Sequence, residues 1–274
     1  MRPTKANPTS FEEMNLPNTV YKYRDWNAEF HPAIITNQQV FFASPKSFED
    51  SLDCKISIRY DLLTEQDIYD KYLSESKRIN SNWTRQQHRA FARDWTKHSP
   101  LKDKNKLAQH QIEAFEGFNM RFGVLSLTAN PSNNDMWIKY SANHSGFCIG
   151  FDPIITFKFF GGGGEVKYYD ELPIIYPTPK HDMETQHFLQ VFSKLKKWEF
   201  EQEYRVHKFH YEPNGLQRQI ILPKEAYKEI ILGAKIEKKT KEEIIDAVRK
   251  DLSHIQIKQA SLGEDNKIII ANYN

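Results

Sequence analysis

The residues best suited to catalysis form a set of alternating charges late in the chain. Glu199, Glu201 and Glu203 alternate, and Arg205 follows two residues after the last of them. In a strand these four side chains point to one side, where three carboxylates repel one another unless a cation opposes them. Arg205, or Arg24 on a neighbouring strand, can supply that charge. Two interpretations stay open: a salt-bridge ladder at the surface, or a catalytic carboxylate, Glu203, held by an arginine.

A pair of cations lies early in the chain. Lys22 and Arg24 share one face of the predicted strand 19–24, and Tyr21 and Tyr23 occupy the other. A guanidinium offers a fixed fork of donors to a carboxylate or a phosphate. The pair therefore suits an anion clamp, and an ordinary solvated strand face explains it equally well.

The loop 44–53 combines hydroxyl, aromatic and acidic side chains. Asp and Ser at this density stabilise turns through their own backbone, which is the simpler interpretation. The functional alternative is a loop beside a ligand, with Phe48 as an aromatic wall and one acid accepting a sugar hydroxyl or orienting a base. The candidate ligand-binding residues of this loop are Ser44, Phe48, Asp50 and Asp53.

A third group of candidates lies in the segment 135–146. If the segment is helical, Trp137 and Tyr140 fall three residues apart on one face. They are core aromatics or a half-buried wall for a planar ligand, since each carries a polar tip that needs a partner. His144 is a candidate base or ligand contact, although a single histidine is more often a structural group.

Composition limits the classes of protein that this chain can belong to. It has 274 residues, 39% of them hydrophobic, and a formal net charge of +2, which predicts a folded chain and argues against an electrostatically driven nucleic-acid binder. No window approaches eighteen uncharged apolar residues and residues 1–10 lack an apolar signal segment, so we expect no membrane association. Cys54 and Cys148 are the only cysteines, which favours a reducing cytoplasm. Neither HExxH nor a dinucleotide or phosphate-loop signature occurs, and we expect no metal site.

The elements that must position these residues alternate between β and helical patterns. Residues 1–18 are predicted to be a loosely ordered lead-in, and 19–274 a single domain with a helical insertion at about 61–118. Strand patterns mostly follow one another without intervening helices, which predicts an α+β fold with a mixed, mainly antiparallel sheet. Other predicted elements are a hairpin of 156–160 and 166–169 around a glycine loop, a helix over 181–199, and a helix opened by a capping box at 240–243.

Several motifs, taken in order, resemble the bacterial domain-of-unknown-function family 2971 over about residues 20–270. This chain has Phe-Glu-Asp-Ser at 48–51, where that family usually shows Phe-Asn-Asp-Pro. The resemblance implies an accessory protein of bacteria or mobile elements, with a defence or toxin-like role. The motifs that carry it are Tyr21–Arg24, Phe42–Cys54, Phe122–Leu127, Met136–Tyr140, His144–Asp152, Lys197–Arg205 and Ile230–Gly233.

The order of the blocks is also distantly similar to that of the ADP-ribosyltransferases. That similarity implies NAD as substrate, with Arg24 holding its pyrophosphate, Tyr140 or Trp137 stacking on nicotinamide, and Glu203 stabilising an oxocarbenium-like centre. A non-catalytic protein that binds a small anionic molecule or a partner is the second hypothesis. A nuclease whose magnesium ions are held by Asp50, Asp53, Glu201 and Glu203 is the third.

Overall fold

The computed structural model describes residues 16–210 and 218–273. Most of the predicted lead-in therefore lies outside the described residues. The strands are β1 Val20–Arg24, β2 Gln39–Phe41, β3 Phe122–Thr128, β4 Phe147–Phe151, β5 Gly164–Glu165, β6 Lys167–Tyr169, β7 Ser193–Leu195, β8 Glu203–Phe209, β9 Gln219–Ile221, β10 Tyr227–Leu232, β11 Gln256–Leu262 and β12 Ile268–Asn272. The α-helices are α1 Ala33–Thr36, α2 Glu65–Ile79, α3 Arg85–Lys97, α4 Lys104–Arg121, α5 Asn134–Tyr140, α6 Pro153–Phe160, α7 Met183–Phe192 and α8 Lys238–Asp251.

The chain divides into two compact units. The helical unit comprises Glu49–Asn119 and Tyr169–Ser193 among the described residues, and it contains the whole of the predicted insertion at about 61–118. The sheet unit comprises 16–48, Met120–Tyr168 and the described residues from Lys194 onward.

The sheet unit is built on eight strands in the order β12-β11-β10-β4-β1-β3-β8-β5. Only β10 and β11 run parallel, and every other neighbouring pair in this sheet is antiparallel. The crossover between β10 and β11 contains α8, as a parallel connection requires. The predicted α+β class with a mixed, mainly antiparallel sheet is confirmed.

Strand alternation gives this sheet two differently covered faces. The α8 face carries Val20, Leu125 and Ile149, which pack in one core with residues of α1, α6 and α8. The α5 face carries Tyr21 and Tyr23, which pack in a second core with Met136 and Trp137 of α5. Because β1 is central and alternates, it sends its tyrosines to the α5 face and its two cations to the α8 face, as the sequence predicted.

The centre of the sheet has an imperfect seam. β1 and β4 are paired from Val20 opposite Phe151 to Arg24 opposite Phe147, whereas β1 and β3 meet at one register pair, Tyr21 opposite Thr128. Lys22 Nζ donates to the carbonyl oxygen of Ser126 at 2.6 Å, which satisfies a β3 acceptor beside this seam. Sequence pattern does not reveal such a gap, because register is a non-local property.

A strained turn follows α5. Ala142, Asn143 and His144 all have positive φ angles, of 48°, 50° and 69°. Left-handed backbone costs roughly 1–2 kcal/mol for each such residue, so the surroundings must hold it in place. They do so through two backbone bonds of 2.9 Å, from Gly233 N–H to Gly146 O and from Lys235 N–H to His144 O.

The helical unit contains a helical hairpin of α2 and α3 with matched N-termini. Thr64 and Thr84 each accept from the backbone three residues on, and Asp67 and Gln87 reciprocate, so both form capping boxes. Between the helices Ser76 Oγ lies 2.8 Å from His88 Nδ1, in a buried contact.

Three predicted elements differ from the structure. Residues 153–160 form α6 rather than a strand, because Asp152 caps the N-terminus, Pro153 occupies the first turn, and Gly161 ends the helix in the left-handed region at φ 81°. The helix predicted over 181–199 ends at Phe192. The helix predicted to open at Thr240 begins two residues earlier, at Lys238, and Thr240 is buried inside it.

Candidate functional site

Two charged regions in the sheet unit qualify as functional sites. The first, the Glu203 cluster, comprises Lys194, Glu201, Glu203, Arg205 and Tyr140 on the α5 face. Arg205 forms a bidentate ion pair with Glu203, in which Nε donates to Oε1 and Nη2 donates to Oε2, each at 2.8 Å. Lys194 Nζ lies 3.1 Å from Glu203 Oε2 and also bonds Glu201 Oε2. The Glu203 cluster is therefore a buried ionic network rather than a surface ladder.

The backbone explains why the predicted row of four charges is incomplete. Residues 196–201 form a 3₁₀-helix, and the strand begins only at Glu203, so Glu199 is exposed and Glu201 turns inward. Only Glu203 and Arg205 share a strand face. The prediction that all four side chains point to one side was wrong for Glu199, whereas Glu201 meets Glu203 at the Lys194 ammonium although it lies outside the strand.

Tyr140 joins the cluster through Glu201. Its hydroxyl donates to Glu201 Oε1 at 2.7 Å, and a second phenol, that of Tyr168, accepts the backbone N–H of Glu203 at 2.8 Å. The first bond positions the carboxylate of Glu201, and the second positions the backbone from which the Glu203 side chain projects. Tyr140, Glu203 and Arg205, three of the residues predicted from the sequence, are thus brought together.

Aromatic rings border the Glu203 cluster. The Phe48 ring centre lies 5.8 Å from the Arg205 guanidinium, and the Trp198 ring lies 5.1 Å from the Lys194 ammonium. Lys139 stands over the same indole at 4.2 Å. In cation–π contacts of this kind the face of the ring attracts the cation, so the aromatic rings help to hold these side chains in place.

The charges around Glu203 control its ionisation. Burial opposes ionisation, but the cations of Arg205 and Lys194 outweigh it and lower the pKa of Glu203 to about 2. A carboxylate that is 3% exposed and bonded on both oxygens is a poor proton acceptor. The cluster consequently favours a positioning and structural role for Glu203.

The second region, the Arg24 pocket, lies on the α8 face. Its volume is about 380 Å³, and Arg24 is one of the residues that line it. Glu29 is the only acid among the lining residues and is exposed. The remaining lining residues are Ala28, Phe30, His31, Ala33, Ile34, Gln39, Val40, Phe41, Leu125 and Gln219.

Arg24 is an unpaired cation in the part of the chain that the structure describes. Among those residues its guanidinium has one hydrogen bond, a long contact of 3.4 Å to the neighbouring Tyr23 carbonyl, and burial lowers the pKa of Arg24 to about 10. Of the other titratable groups lining the pocket, His31 has a pKa lowered first by burial and then by Arg24. Arg24 therefore supplies the main positive charge of the pocket.

Lys22 lies next to Arg24 on the same strand face. Burial, followed by the charge of Arg24, lowers the pKa of Lys22 to about 7, and the carboxylates of Glu203 and Glu201 offset this in part. Among the described residues it forms no ion pair, and its printed bond is to the Ser126 carbonyl. Lys22 and Arg24 thus share one strand face, as predicted, and burial removes part of the water around both charges.

The register separates Arg24 from Glu203. Tyr21 is opposite Thr128, and Thr128 is opposite Glu203, so Glu203 shares the face of Tyr21. Arg24 alternates to the other face. The two residues that the transferase hypothesis needs in one cleft thus project from opposite faces of the sheet.

Two of the predicted ligand contacts are core residues. Trp137 is fully buried, its indole N–H donates to the Pro131 carbonyl at 2.8 Å, and its ring meets Tyr23 edge-on. His144 is 2% exposed, stacks on Trp137 at 6.3 Å, and has a pKa lowered by burial. Neither presents a free ring face to a ligand, which favours the packing interpretation of both.

The loop candidates fall into different units. Ser44 and Phe48 belong to the sheet unit, where Ser44 caps a short 3₁₀-helix by accepting from Lys46 N–H at 3.3 Å. Asp50 and Asp53 belong to the helical unit and are buried. Asp50 accepts the N–H of Leu52 at 3.2 Å, in agreement with the turn-stabilising interpretation.

Sequence reasoning missed Lys194 and Tyr168 as members of the Glu203 cluster. Lys194 lies in β7, directly after α7, in a stretch predicted as continuous helix. A sequence signal was present, because Lys194 precedes Glu201 by seven positions and the three neighbouring acids required a cation. Tyr168 acts through its hydroxyl on a backbone group, for which no sequence signal exists.

Comparison with protein-family models, with curated proteins and with solved structures gave no match for this chain. Among residues 16–210 and 218–273, no group of three or more His, Cys, Asp or Glu side chains is arranged to hold a metal ion. The helices in the same ranges are too short or too polar to cross a bilayer.

Proposed function

We propose that the protein binds a small anionic molecule with an aromatic or apolar portion in the Arg24 pocket. The observation that carries the proposal is Arg24, a half-buried residue that lines the cavity and has no ion-pair partner in the described chain. The proposal corresponds to the second hypothesis from the sequence, a non-catalytic protein, with a small anionic molecule rather than a partner as what it binds.

The energetic argument for an anion starts from desolvation. A charge withdrawn from water costs several kcal/mol unless an opposite charge compensates it. A carboxylate or phosphate that enters the pocket supplies that charge and can accept two parallel N–H bonds from the guanidinium. Arg24 is thus positioned to gain more from a ligand than an exposed arginine would.

The argument for an apolar portion rests on the rest of the wall. Val40, Ile34 and Leu125 are buried side chains of the core, while Phe30 and Phe41 are 67% and 46% exposed. Two exposed phenyl rings at one cavity are well suited to cover a flat ligand. A volume of about 380 Å³ lies at the lower end of the range for small-molecule sites.

Binding of phenylpropionate, followed by calorimetry and thermal denaturation, tests the proposal. We expect saturable binding to the wild type and a rise in Tm with ligand concentration. Arg24→Gln should weaken binding by about tenfold or more, since hydrogen bonds to charged groups contribute about 1.5–3 kcal/mol. Arg24→Lys should give an intermediate loss, because it keeps the charge without the fork.

Arg249→Gln is the matched control, because this substitution removes the same charge from an arginine that is exposed on α8. Equal weakening by Arg24→Gln and Arg249→Gln would contradict the proposal, as would saturable binding that Arg24→Gln leaves unchanged. Adenosine monophosphate and NAD belong in the same series, so that phosphates are compared with carboxylates.

The transferase alternative, with NAD as substrate, has weaker support, because its cation and its late carboxylate lie on opposite sheet faces. Its test is nicotinamide release from NAD, with Glu203→Gln as the variant. Turnover that Glu203→Gln abolishes in a folded protein would favour the enzyme over the binding protein.

A further inference from the structure

One side of α3 carries a regular row of positive charges. A cation recurs at every fourth position through the helix, and we call this set the α3 stripe: Arg85, Arg89, Arg93 and Lys97. Residues four apart on a helix are neighbours on its surface, separated by about 6 Å along the axis. All four residues are exposed. The α3 stripe is therefore a continuous ridge of charge about 18 Å long.

The cations of the α3 stripe have no counter-charge among residues 16–210 and 218–273. None of their side chains forms an ion pair or a hydrogen bond there. Asp94, the one acid of α3, lies 3.5 Å from His98 Nδ1 instead. The acids of the neighbouring helix α2 that form ion pairs do so with other residues: Glu65 with Lys102, Asp67 with Lys180, and Glu75 with Arg78.

Helix stability does not explain this pattern. Like charges four residues apart repel one another, and a cation in the first turn, where Arg85 lies, opposes the helix dipole. Helix α8 shows the stabilising arrangement, since Lys238 and Lys239 each lie 3.9 Å from an acid four residues later. The α3 stripe weakens its own helix, and a row of negative charge opposite it would remove that repulsion.

The apolar side of α3 faces α2. His88 contacts Ser76 of α2 in a buried bond, and the Trp95 ring centre lies 5.6 Å from that of Tyr72. Phe91 falls on the same side by its helical spacing and contacts the Trp95 ring. These residues therefore do not flank the α3 stripe as a membrane-binding helix requires, and they do not supply it with rings that stack on single-stranded bases.

We propose that the α3 stripe binds the phosphate backbone of double-stranded DNA. A DNA duplex presents rows of phosphates at regular spacing, with one charge for about every 1.7 Å of its axis. Its major groove, about 12 Å wide, admits an α-helix, whereas the deep and narrow major groove of an RNA duplex does not. Gln86 and Ala90 are exposed between the cations, and neither side chain is bulky enough to keep the helix away from the groove.

This surface is independent of the Arg24 pocket. The formal net charge of +2 argues against binding driven by the charge of the whole molecule, and the α3 stripe is instead a local feature. It belongs to the helical unit, whereas the residues that line the Arg24 pocket belong to the sheet unit. The two proposals therefore stand or fall separately.

Fluorescence anisotropy of a labelled DNA duplex, measured at several salt concentrations, tests the proposal. Each cation that meets a phosphate contributes about −0.9 to the slope of log K against log salt concentration, so four contacts predict a slope of about −3.6. The affinity should then fall about a hundredfold between about 50 and 200 mM salt. Arg89→Gln combined with Arg93→Gln, the stripe variant, should make the slope shallower by about 1.8.

Lys238→Gln combined with Lys239→Gln is the matched control, because it removes two exposed lysines from α8. This control should leave the slope unchanged. Glutamine is a good helix former, so both variants should fold, with circular dichroism as the check. The Tm of the stripe variant should stay the same or rise, since like-charge repulsion is lost, whereas a structural role of the arginines predicts a lower Tm.

Absence of binding to the DNA duplex at about 50 mM salt would overturn the proposal. Equal changes of slope in the stripe variant and the control would also overturn it, because net charge alone would then account for binding. An RNA duplex, a polyglutamate peptide and vesicles containing phosphatidylserine complete the series. Tighter binding to any of these, lost in the stripe variant, would assign the α3 stripe to a different partner and refute the DNA site.

Discussion

Glu203 shows how a buried carboxylate can be held ionised by its neighbours. Both of its oxygens accept from cations, Arg205 and Lys194, and its own N–H donates to Tyr168. Such an ion pair adds little net stability over an apolar packing, yet it is costly to break from one side. We therefore expect the loss of the Glu203 charge to lower the free energy of unfolding much more than the loss of the charge on a nearby exposed acid.

Glu203→Gln should destabilise the protein by about 3–5 kcal/mol, because Arg205 and Lys194 each lose a buried counter-charge. Chemical denaturation measures the difference in free energy of unfolding. Glu199→Gln is the control, because Glu199 is exposed and the loss of its charge should change the free energy of unfolding by no more than about 0.5 kcal/mol. A loss below about 1 kcal/mol for Glu203→Gln would show that the cluster tolerates an unpaired cation.

At the scale of elements, the turn after α5 depends on two glycines for close backbone approach. A Cβ on Gly233 would lie 2.1 Å from the carbonyl oxygen of His144, and one on Gly146 would lie 2.1 Å from that of Arg24. These oxygens belong to the backbone and cannot swing away. The left-handed residues 142–144 are held by the bonds that such a shift would break.

Gly233→Ala should therefore destabilise the protein by about 2 kcal/mol or more, because the backbone must move to make room. Gly117→Ala in α4 is the matched change: nothing lies within 4 Å of the added atom, and a helix interior prefers alanine by about 0.5–1 kcal/mol. Thermal denaturation should shift the two Tm values in opposite directions. Equal shifts would show that the turn is not held by close packing.

The elements that the sequence predicted well are those with a strong local pattern. Residues 203–209 and 122–128 alternate or are apolar throughout, and both are strands within the predicted bounds. Residues 156–160 are apolar and could be strand or helix by pattern alone; Asp152 and Pro153 decide for helix. Individual residues of the candidate sites could be predicted from the sequence, but not which of them lie together. Only the register of β1 with β3 and of β3 with β8 assigns Arg24 and Glu203 to opposite faces of the sheet.

At the scale of the molecule, burial is distributed unevenly. All five residues of β4 are buried, whereas α4 has no buried residue among its eighteen. Backbone amides open most rarely where apolar contacts are dense, and an exposed helix depends on its own propensity. The two units thus contain segments of very different local stability.

Hydrogen exchange followed by mass spectrometry should resolve this difference. Amides of β4 should exchange slowest, at rates near those set by global unfolding, and amides of α4 should exchange faster by about tenfold or more. The peptide that covers α3, which has two buried residues, is an internal reference between these limits. Equal protection of β4 and α4 would mean that α4 unfolds only with the whole chain.

The order of the strands in the eight-stranded sheet also has a consequence for biosynthesis. A ribosome delivers β1, β3 and β4 well before β8 and β10, which flank that central trio in the finished sheet. Until residue 227 has emerged, the outer edge of β4, an entirely apolar strand, has no partner to pair with. Open apolar edges are the places where nascent chains associate wrongly, so the order of synthesis exposes this fold to aggregation for much of its translation.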